Sequence, residues 1–233
     1  MRKRTKSITV IRKRRKAQLI AGGTAAAMMF ASTLAGAVTF DFASLANGNE
    51  NSYTTFTYSE GSITVNASGQ SADGTQDYYA YMDSGNAGLG VCEALTASGR
   101  CSPSSDDNVT FDELLRLDFN QPVSLSDITF INGNHGNTFD GVFELSVDGG
   151  PATTYNLTSN FSMNLTGTTF DFINPNIQGG SNVSNGYQFY IGSATVTAVP
   201  VPAAGWLFVS GMLGLAGLSR RKVRAQPTLT GPA

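Results

Sequence analysis

The chain has 233 residues and a formal net charge of −2, from 15 lysines and arginines against 17 aspartates and glutamates. These charges are segregated, because nine basic residues lie in the first 16 positions and four more lie between positions 220 and 224. Residues 38–199 keep two arginines and all 17 carboxylates, a net charge of −15. A body this acidic repels phosphate backbones, which excludes nucleic acid as a partner.

The first 37 residues have the organisation of a signal peptide. Basic residues at positions 2–16 are followed by residues 17–38, which are mainly small or apolar and carry no charge. Ala35-Gly36-Ala37 supplies the small residues that signal peptidase accepts. We therefore predict an N-terminal signal helix, cleavage after Ala37 and export of the mature protein. The alternative is an uncleaved membrane anchor.

Residues 38–198 predict an all-β ectodomain. Short β-branched and aromatic runs alternate with clusters of Gly, Asn, Asp and Ser, and helical periodicity is nearly absent. About a dozen short strands separated by turns predict an antiparallel β-sandwich, jelly-roll-like in its arrangement. The predicted strands are Val38–Phe42, Tyr53–Tyr58, Ser62–Ala67, Tyr78–Met82, Leu114–Phe119, Ile128–Ile131, Val142–Val147, Thr154–Leu157, Phe161–Leu165, Thr169–Ile173, Gln188–Ile191 and Ala194–Val199.

Two local patterns refine this prediction. Asp148-Gly149-Gly150 follows an alternating strand and is a strong hairpin signal. Residues 112–117 contain helix formers, but a polar stretch ending in Pro122 follows them closely. We therefore interpret Leu115, Leu117 and Phe119 as the inward face of a strand.

The two cysteines, Cys92 and Cys101, lie nine residues apart. In the oxidising compartment to which the protein is exported, a pair this close predicts a disulfide. That bond would hold the polar segment from Gly85 to Asp107 in place. The alternative is a metal-binding or redox dithiol, but the pair lacks the CxxC spacing and histidine partners in the sequence.

A metal site is predicted in the segment that follows Cys101. Acidic loop clusters supply the roughly six to eight oxygen ligands that calcium prefers, and Ser102-Pro103-Ser104-Ser105 predicts a loop here. The alternative is a solvated acidic loop, since the EF-hand spacing is missing. The predicted ligands are Asp106, Asp107, Asn108 and Glu113.

The sequence contains no recognisable catalytic motif. His135 is the only histidine, and both HExxH and GxSxG are absent, so we interpret it as a loop histidine. Carboxylates are plentiful, but nothing selects a glycosidase pair among them. The one tryptophan, Trp206, lies outside the body, so sugar stacking would depend on residues such as Tyr78, Tyr79 and Tyr81. We predict that the protein is not an enzyme.

The C-terminal segment has three parts in a fixed order. Val199-Pro200-Val201-Pro202 precedes an apolar run of 16 residues, 203–218, and Arg220-Arg221-Lys222 follows. At 1.5 Å per residue the run spans about 24 Å, which is short for a hydrocarbon core of ~30 Å. Trp206 favours one interface and the basic cluster favours the cytoplasm. We predict a sorting signal with a transmembrane helix at 199–223 and a cytoplasmic tail at 224–233; the alternative is a simple single-pass anchor.

This segment resembles the PEP-CTERM sorting signal. Residues 199–203 are similar to the variant in which Val-Pro-Leu-Pro-Ala replaces Pro-Glu-Pro, and Trp206, the glycine-rich apolar run and Arg220-Arg221-Lys222 follow in the family's order. The resemblance implies recognition by an exosortase, cleavage near the proline motif, and delivery to the surface or extracellular matrix of a Gram-negative bacterium. Residues 223–233 depart from the family, whose members normally end near the basic cluster.

The body is also similar to β-rich ectodomains of other exosortase-dependent surface proteins, at Gly88–Cys92, Leu115–Phe119 and Phe143–Gly150. That resemblance implies where the protein is located more than which chemistry it performs. Our leading hypothesis is an exported cell-surface or matrix protein, handled by signal peptidase and an exosortase, with exopolysaccharide as its partner. The runner-up is a secreted carbohydrate-binding or carbohydrate-active protein on the same jelly-roll fold.

Overall fold

The computed structural model describes residues 36–175 and 185–200, with the single positions 208, 211, 212 and 215. The two continuous ranges are mostly β-strand. The elements are β1 (Ala37–Asp41), α1 (Phe42–Ala46), β2 (Asn51–Tyr53), β3 (Phe56–Glu60), β4 (Ile63–Ser71), β5 (Asp77–Asp83), β6 (Gly88–Cys92), β7 (Glu113–Asn132), β8 (Val142–Val147), β9 (Thr153–Asn156), β10 (Asn160–Ile173), a 3-10 turn (Asn185–Tyr187) and β11 (Phe189–Ala198).

The strand pairs are antiparallel, and their order closes on itself. The main path runs β1-β11-β6-β5-β4-β7-β10-β8-β9, and β7 also pairs with β11. Strands β4, β5, β6, β11 and β7 therefore form a ring of hydrogen-bonded neighbours. The predicted all-β, antiparallel domain is confirmed, and the sandwich with jelly-roll order stays a prediction.

The 20-residue strand β7 pairs with two members of this ring, β4 and β11. Its first half pairs with β4 as far as Phe119, and its second half pairs with β11 from Val123 onward. Pro122 lies where the partner changes, a position at which a strand tolerates the missing N–H of proline. The Pro122 carbonyl accepts the backbone N–H of Val199 at 3.0 Å. The predicted strands 114–119 and 128–131 are therefore one strand.

Most other strand predictions are confirmed with shifted boundaries. The predicted pairs of strands within 161–173 and within 188–199 are continuous as β10 and β11, and the predicted strand 53–58 is split into β2 and β3. At the predicted hairpin, Gly150 N–H donates to the carbonyl of Val147 at 2.9 Å, and both Asp148 and Gly149 have positive φ. That turn joins β8 to β9, as the sequence predicts.

The structure differs from the predicted strands at two places. Phe42 is not the end of a strand but the start of α1, because the Asp41 carboxylate accepts the N–H of Ser44 at 2.9 Å and caps the helix. Strand β6 was not predicted, since its two glycines weaken the β-strand signal. Gly90 is needed there, because a Cβ would collide with the backbone of Asp107.

The core is rich in phenylalanine. Phe130 is central to it, with its ring centroid 4.8 Å from that of Phe143 and 5.2 Å from that of Phe189. Leu115, Leu117 and Phe119 of β7 are also buried, which confirms the predicted inward face and excludes the helical alternative for residues 112–117. Burial of these side chains is the main force that holds the strands together.

The predicted signal peptide (1–37), sorting segment (199–223) and tail (224–233) lie almost entirely outside the described residues. The described exceptions in the apolar run, Phe208, Gly211, Met212 and Leu215, are helical. Within the described ranges, no helix has the length and apolar character needed to cross a membrane. The two flanking helices therefore stay predictions.

Candidate functional site

The β domain begins and ends on neighbouring strands. Ala37 lies opposite Thr197 in the antiparallel pair of β1 and β11. Val199, the first residue of the predicted sorting signal, follows β11 directly, and Pro200 is the last residue described before the gap. The remaining predicted sorting residues lie outside the described part of the chain: Val201, Pro202, Trp206, Arg220, Arg221 and Lys222.

The predicted disulfide between Cys92 and Cys101 is confirmed, with a Cα–Cα distance of 5.7 Å. Cys92 ends β6, and both cysteines are buried. The Ser52 hydroxyl of β2 donates to the carbonyl of Gly99 at 3.1 Å. The disulfide and this hydrogen bond together fix the loop 93–100 beside the sheet. In this oxidised form neither sulfur is a free thiol, so the pair does not ligate a metal.

The disulfide loop positions Arg100 against Glu50. Their side chains form an ion pair, and the hydroxyl of buried Tyr81 donates to Glu50 Oε1 at 2.6 Å. The backbone N–H of Cys101 in turn donates to the Tyr81 oxygen at 3.4 Å. Arg100, and then Tyr81, lower the pKa of Glu50, while burial and the Glu50 hydrogen bond raise the pKa of Tyr81 to about 12. The result is a charged carboxylate held by a neutral phenol and a cation.

The structure gives the predicted calcium ligands different partners. Asp106 Oδ2 accepts the N–H of Glu93 at 3.3 Å, and Asp107 Oδ1 accepts the hydroxyl of Tyr190 at 2.5 Å. Asn108 is buried, and its Oδ1 has no hydrogen-bond partner in the part of the protein that is described. The three residues lie in an irregular segment between β6 and β7, as predicted.

Glu113, the fourth predicted ligand, begins β7 and is buried. Its Oε2 accepts the N–H and the hydroxyl of Thr110 at 2.7 and 2.8 Å. Burial raises the pKa of Glu113 to about 8, that of Asp107 to about 6, and that of Asp106 above its ordinary value. A nearby divalent cation would favour the charged forms of such groups. Calcium binding stays a prediction.

One group of possible metal ligands is compact within the described ranges. Cys92, Cys101 and Asp106 offer atoms that lie within 4.8 Å of one another. The two sulfurs form the disulfide, however, and metal binding by cysteine requires the thiolate. This group is therefore not a metal site in the oxidised protein.

His135 lies in the turn after β7, which agrees with its interpretation as a loop histidine. Its Nε2 is 2.7 Å from Asp83 Oδ2, and its ring meets that of Tyr190 edge-to-face at 5.6 Å. The histidine thus connects the turn to β5 and β11. The sequence gives no sign of these two contacts, because strand pairing alone brings Asp83 and Tyr190 near residue 135.

Two of the grooves on the described surface include aromatic side chains. The groove that we call the Phe56 groove has a volume of about 410 Å³ and includes Tyr53, Phe56 and Tyr58 together with Glu50 and Arg100. The groove that we call the Tyr78 groove has a volume of about 440 Å³. Its lining includes Gln70, Asp77, Tyr78 and Tyr79.

Comparison of the chain with protein-family models, with curated proteins and with solved structures finds no match.

Proposed function

We propose that the protein is an exported cell-surface or extracellular-matrix protein of a Gram-negative bacterium. In this proposal signal peptidase removes residues 1–37, and an exosortase recognises the segment from Val199 to Lys222 and cleaves near Pro200 and Pro202. The partner of the mature domain is exopolysaccharide, and the domain acts by binding rather than by catalysis.

The single observation that carries this proposal is the pairing of β1 with β11. Because Ala37 lies opposite Thr197, the chain enters and leaves the domain at one end of two adjacent strands. A domain with this arrangement can remain tethered at both ends to one membrane while it folds. Cleavage after Ala37 would also leave the pairs from Val38 to Asp41 in place.

The disulfide adds independent support. Disulfides persist in the periplasm and outside the cell and are rare in the bacterial cytosol. The bond between Cys92 and Cys101 holds a loop that hydrogen-bonds to β2 and carries Arg100. A loop that depends on an oxidised bond for its position is suited to an exported protein.

Mass spectrometry of the mature protein tests the proposal. The protein is recovered from membrane and medium of cells with and without the cognate exosortase. We expect the C terminus to lie near Pro202 only when the exosortase is present, and to retain Arg220 without it. The double variant Pro200→Ala, Pro202→Ala should lose processing, whereas Pro151→Ala, in an exposed hairpin turn, should be processed normally. A C terminus that retains Arg220 in both strains overturns the proposal.

A second candidate function is that of a secreted carbohydrate-binding or carbohydrate-active protein on a jelly-roll fold. The Tyr78 groove favours it, because Tyr78 and Tyr79 line the groove together with the polar side chains of Gln70 and Asp77. Glycoside hydrolysis would require two carboxyl groups about 5–10 Å apart across a bound sugar. New reducing ends released from a neutral polysaccharide by the wild type, but not by Asp77→Asn, would establish this activity.

A further inference from the structure

We infer that the Phe56 groove binds an uncharged, hydroxyl-rich sugar unit of a polysaccharide. This inference rests on the proposed function and assigns the glycan contact to one place on the domain. It depends on three features of the groove: its aromatic rings, its fixed polar groups and its charge.

The aromatic rings are half-buried rather than enclosed in the core. Phe56 and Tyr58 lie two residues apart on the same face of β3. Their ring centroids are 6.4 Å apart, and their ring planes differ by only 18°. Tyr53 meets Phe56 edge-to-face at 5.2 Å. Phe56 also packs edge-to-face on Phe42, which fixes its orientation from below. Aromatic faces carry partial negative charge and attract the partly positive C–H groups on one side of a sugar ring.

The polar groups of the groove are held in place before any ligand arrives. Glu50 receives hydrogen bonds from Arg100 and from Tyr81, and Tyr81 is itself fixed by the N–H of Cys101. Arg100 is half exposed, with a side-chain exposure of 50%, and its guanidinium has five N–H donors. The carboxylate can accept a hydrogen bond from one sugar hydroxyl, and the guanidinium beside it can donate one to another. Groups that are already ordered lose little entropy when they bind.

Charge selects between neutral and acidic glycans. The groove's carboxylate and guanidinium, Glu50 and Arg100, compensate each other locally. Residues 38–199 carry a net charge of −15, which repels a polyanion such as a uronic-acid polymer at long range. The ligand that fits both conditions is uncharged. Its hydroxyls would bond to the ion pair while its C–H face covers the rings.

Affinity electrophoresis under native conditions tests this inference with the exported protein. The probes are dextran, galactomannan and hydroxyethyl cellulose as neutral polymers and alginate as an acidic one. We expect retardation by at least one neutral polymer and none by alginate at low salt. Arg100→Gln and Glu50→Gln should each weaken that binding about tenfold or more, while Tyr58→Phe, which keeps the ring, should change it less than threefold.

The control is the double variant Gln70→Ala, Asp77→Ala in the Tyr78 groove. It should bind as the wild type does, and circular dichroism melting should show that all variants are folded. Equal binding by the wild type and Arg100→Gln, or loss of binding only in the control, overturns the assignment to the Phe56 groove. No retardation by any of the three neutral polymers overturns the inference itself, while exosortase-dependent processing tests the sorting proposal separately.

Discussion

The carboxylates of the β domain are stabilised in two different ways, depending on where they lie. On the sheet, Asp171 of β10 lies opposite Arg116 of β7 and receives two hydrogen bonds from its guanidinium, at 2.7 and 2.9 Å. In the segment between β6 and β7, Asp107 receives its bond from the neutral hydroxyl of Tyr190. Glu113, at the start of β7, likewise accepts hydrogen bonds from neutral donors, the N–H and hydroxyl of Thr110.

This difference follows from the composition of the domain. Residues 38–199 contain only two arginines and no lysine, and these arginines pair with Glu50 and Asp171. Asp107 and Glu113 therefore depend on neutral donors, and burial raises their pKa values. The arginine pairs hold ionised carboxylates in place. Asp107 and Glu113, in contrast, are carboxyl groups that can still take up a proton or a cation.

The largest expected effect comes from removing the cation beside Asp171. Arg116→Met would leave the Asp171 carboxylate, of which only 9% of the side-chain surface is exposed, without its partner. We expect the free energy of unfolding to fall by about 3 kcal/mol, because a buried charge loses its compensation. Urea unfolding at pH 7 measures this.

The matched control is Arg100→Met at the exposed pair. Arg100 and Glu50 side chains are 50% and 28% exposed, so solvent replaces the lost interaction. We expect a clearly smaller loss there, because solvent-exposed ion pairs contribute little to stability. An equal loss at the two arginines would contradict the contrast between the buried and the exposed pair.

The next prediction concerns the pH dependence of stability that Glu113 causes. Its pKa rises from 4.5 to about 8 on folding, so the folded protein keeps a proton that the unfolded chain releases. The free energy of unfolding therefore falls as the pH rises from about 4.5 to 8, and the loss is complete above pH 8. Glu113→Gln, which cannot ionise, should be more stable than the wild type at pH 8.5 and nearly equal to it at pH 4.5.

Thermal unfolding of both proteins across this pH range checks the prediction. Glu144→Gln on β8 makes the same chemical change at a half-buried position and should follow the wild-type curve. A pH dependence that survives unchanged in Glu113→Gln would assign it to another group.

Alternating sequence patterns predicted the strands well, because burial of one sheet face requires an apolar residue at every second position of the strand. Leu115, Leu117 and Phe119 show this, and all three are buried. The same reasoning missed β6, since the need for Gly90 arises from the backbone of Asp107, which passes directly over that strand. A contact between segments of this kind leaves no local periodicity.

The site residues divide in the same way. The disulfide between Cys92 and Cys101 could be predicted because the spacing and the export signal are local features. The contact between Glu50 of the Phe56 groove and buried Tyr81 could not be predicted, since the two residues lie 31 positions apart and no local pattern links them. The scarcity of cations was the available signal, because an arginine such as Arg100 in so acidic a domain is expected to lie beside a carboxylate.

The smallest expected effect is stabilisation by calcium, which would act on the carboxylates that lack an arginine. The positive potential of the ion would favour the charged forms of Asp106, Asp107 and Glu113, whose pKa values burial raises. Asn108 adds a buried amide oxygen without a partner among the described residues. Extracellular calcium sites can be of millimolar affinity, so tenfold excess over Kd would add about 1.4 kcal/mol to the free energy of unfolding.

Calcium and protons should compete for these groups, which gives the prediction a specific signature. Thermal unfolding in EDTA and in millimolar calcium should differ more at pH 8.5 than at pH 5, because at pH 5 Asp107 and Glu113 already hold protons in the folded state. The variant Asp106→Asn, Asp107→Asn keeps the hydrogen-bonding shape but removes two charges, and should lose most of the calcium effect. Asp77→Asn, at the exposed first position of β5, is the control and should keep the calcium effect. An unchanged midpoint at pH 8.5, or an equal gain in the double variant, would show that neutral donors alone satisfy these carboxylates.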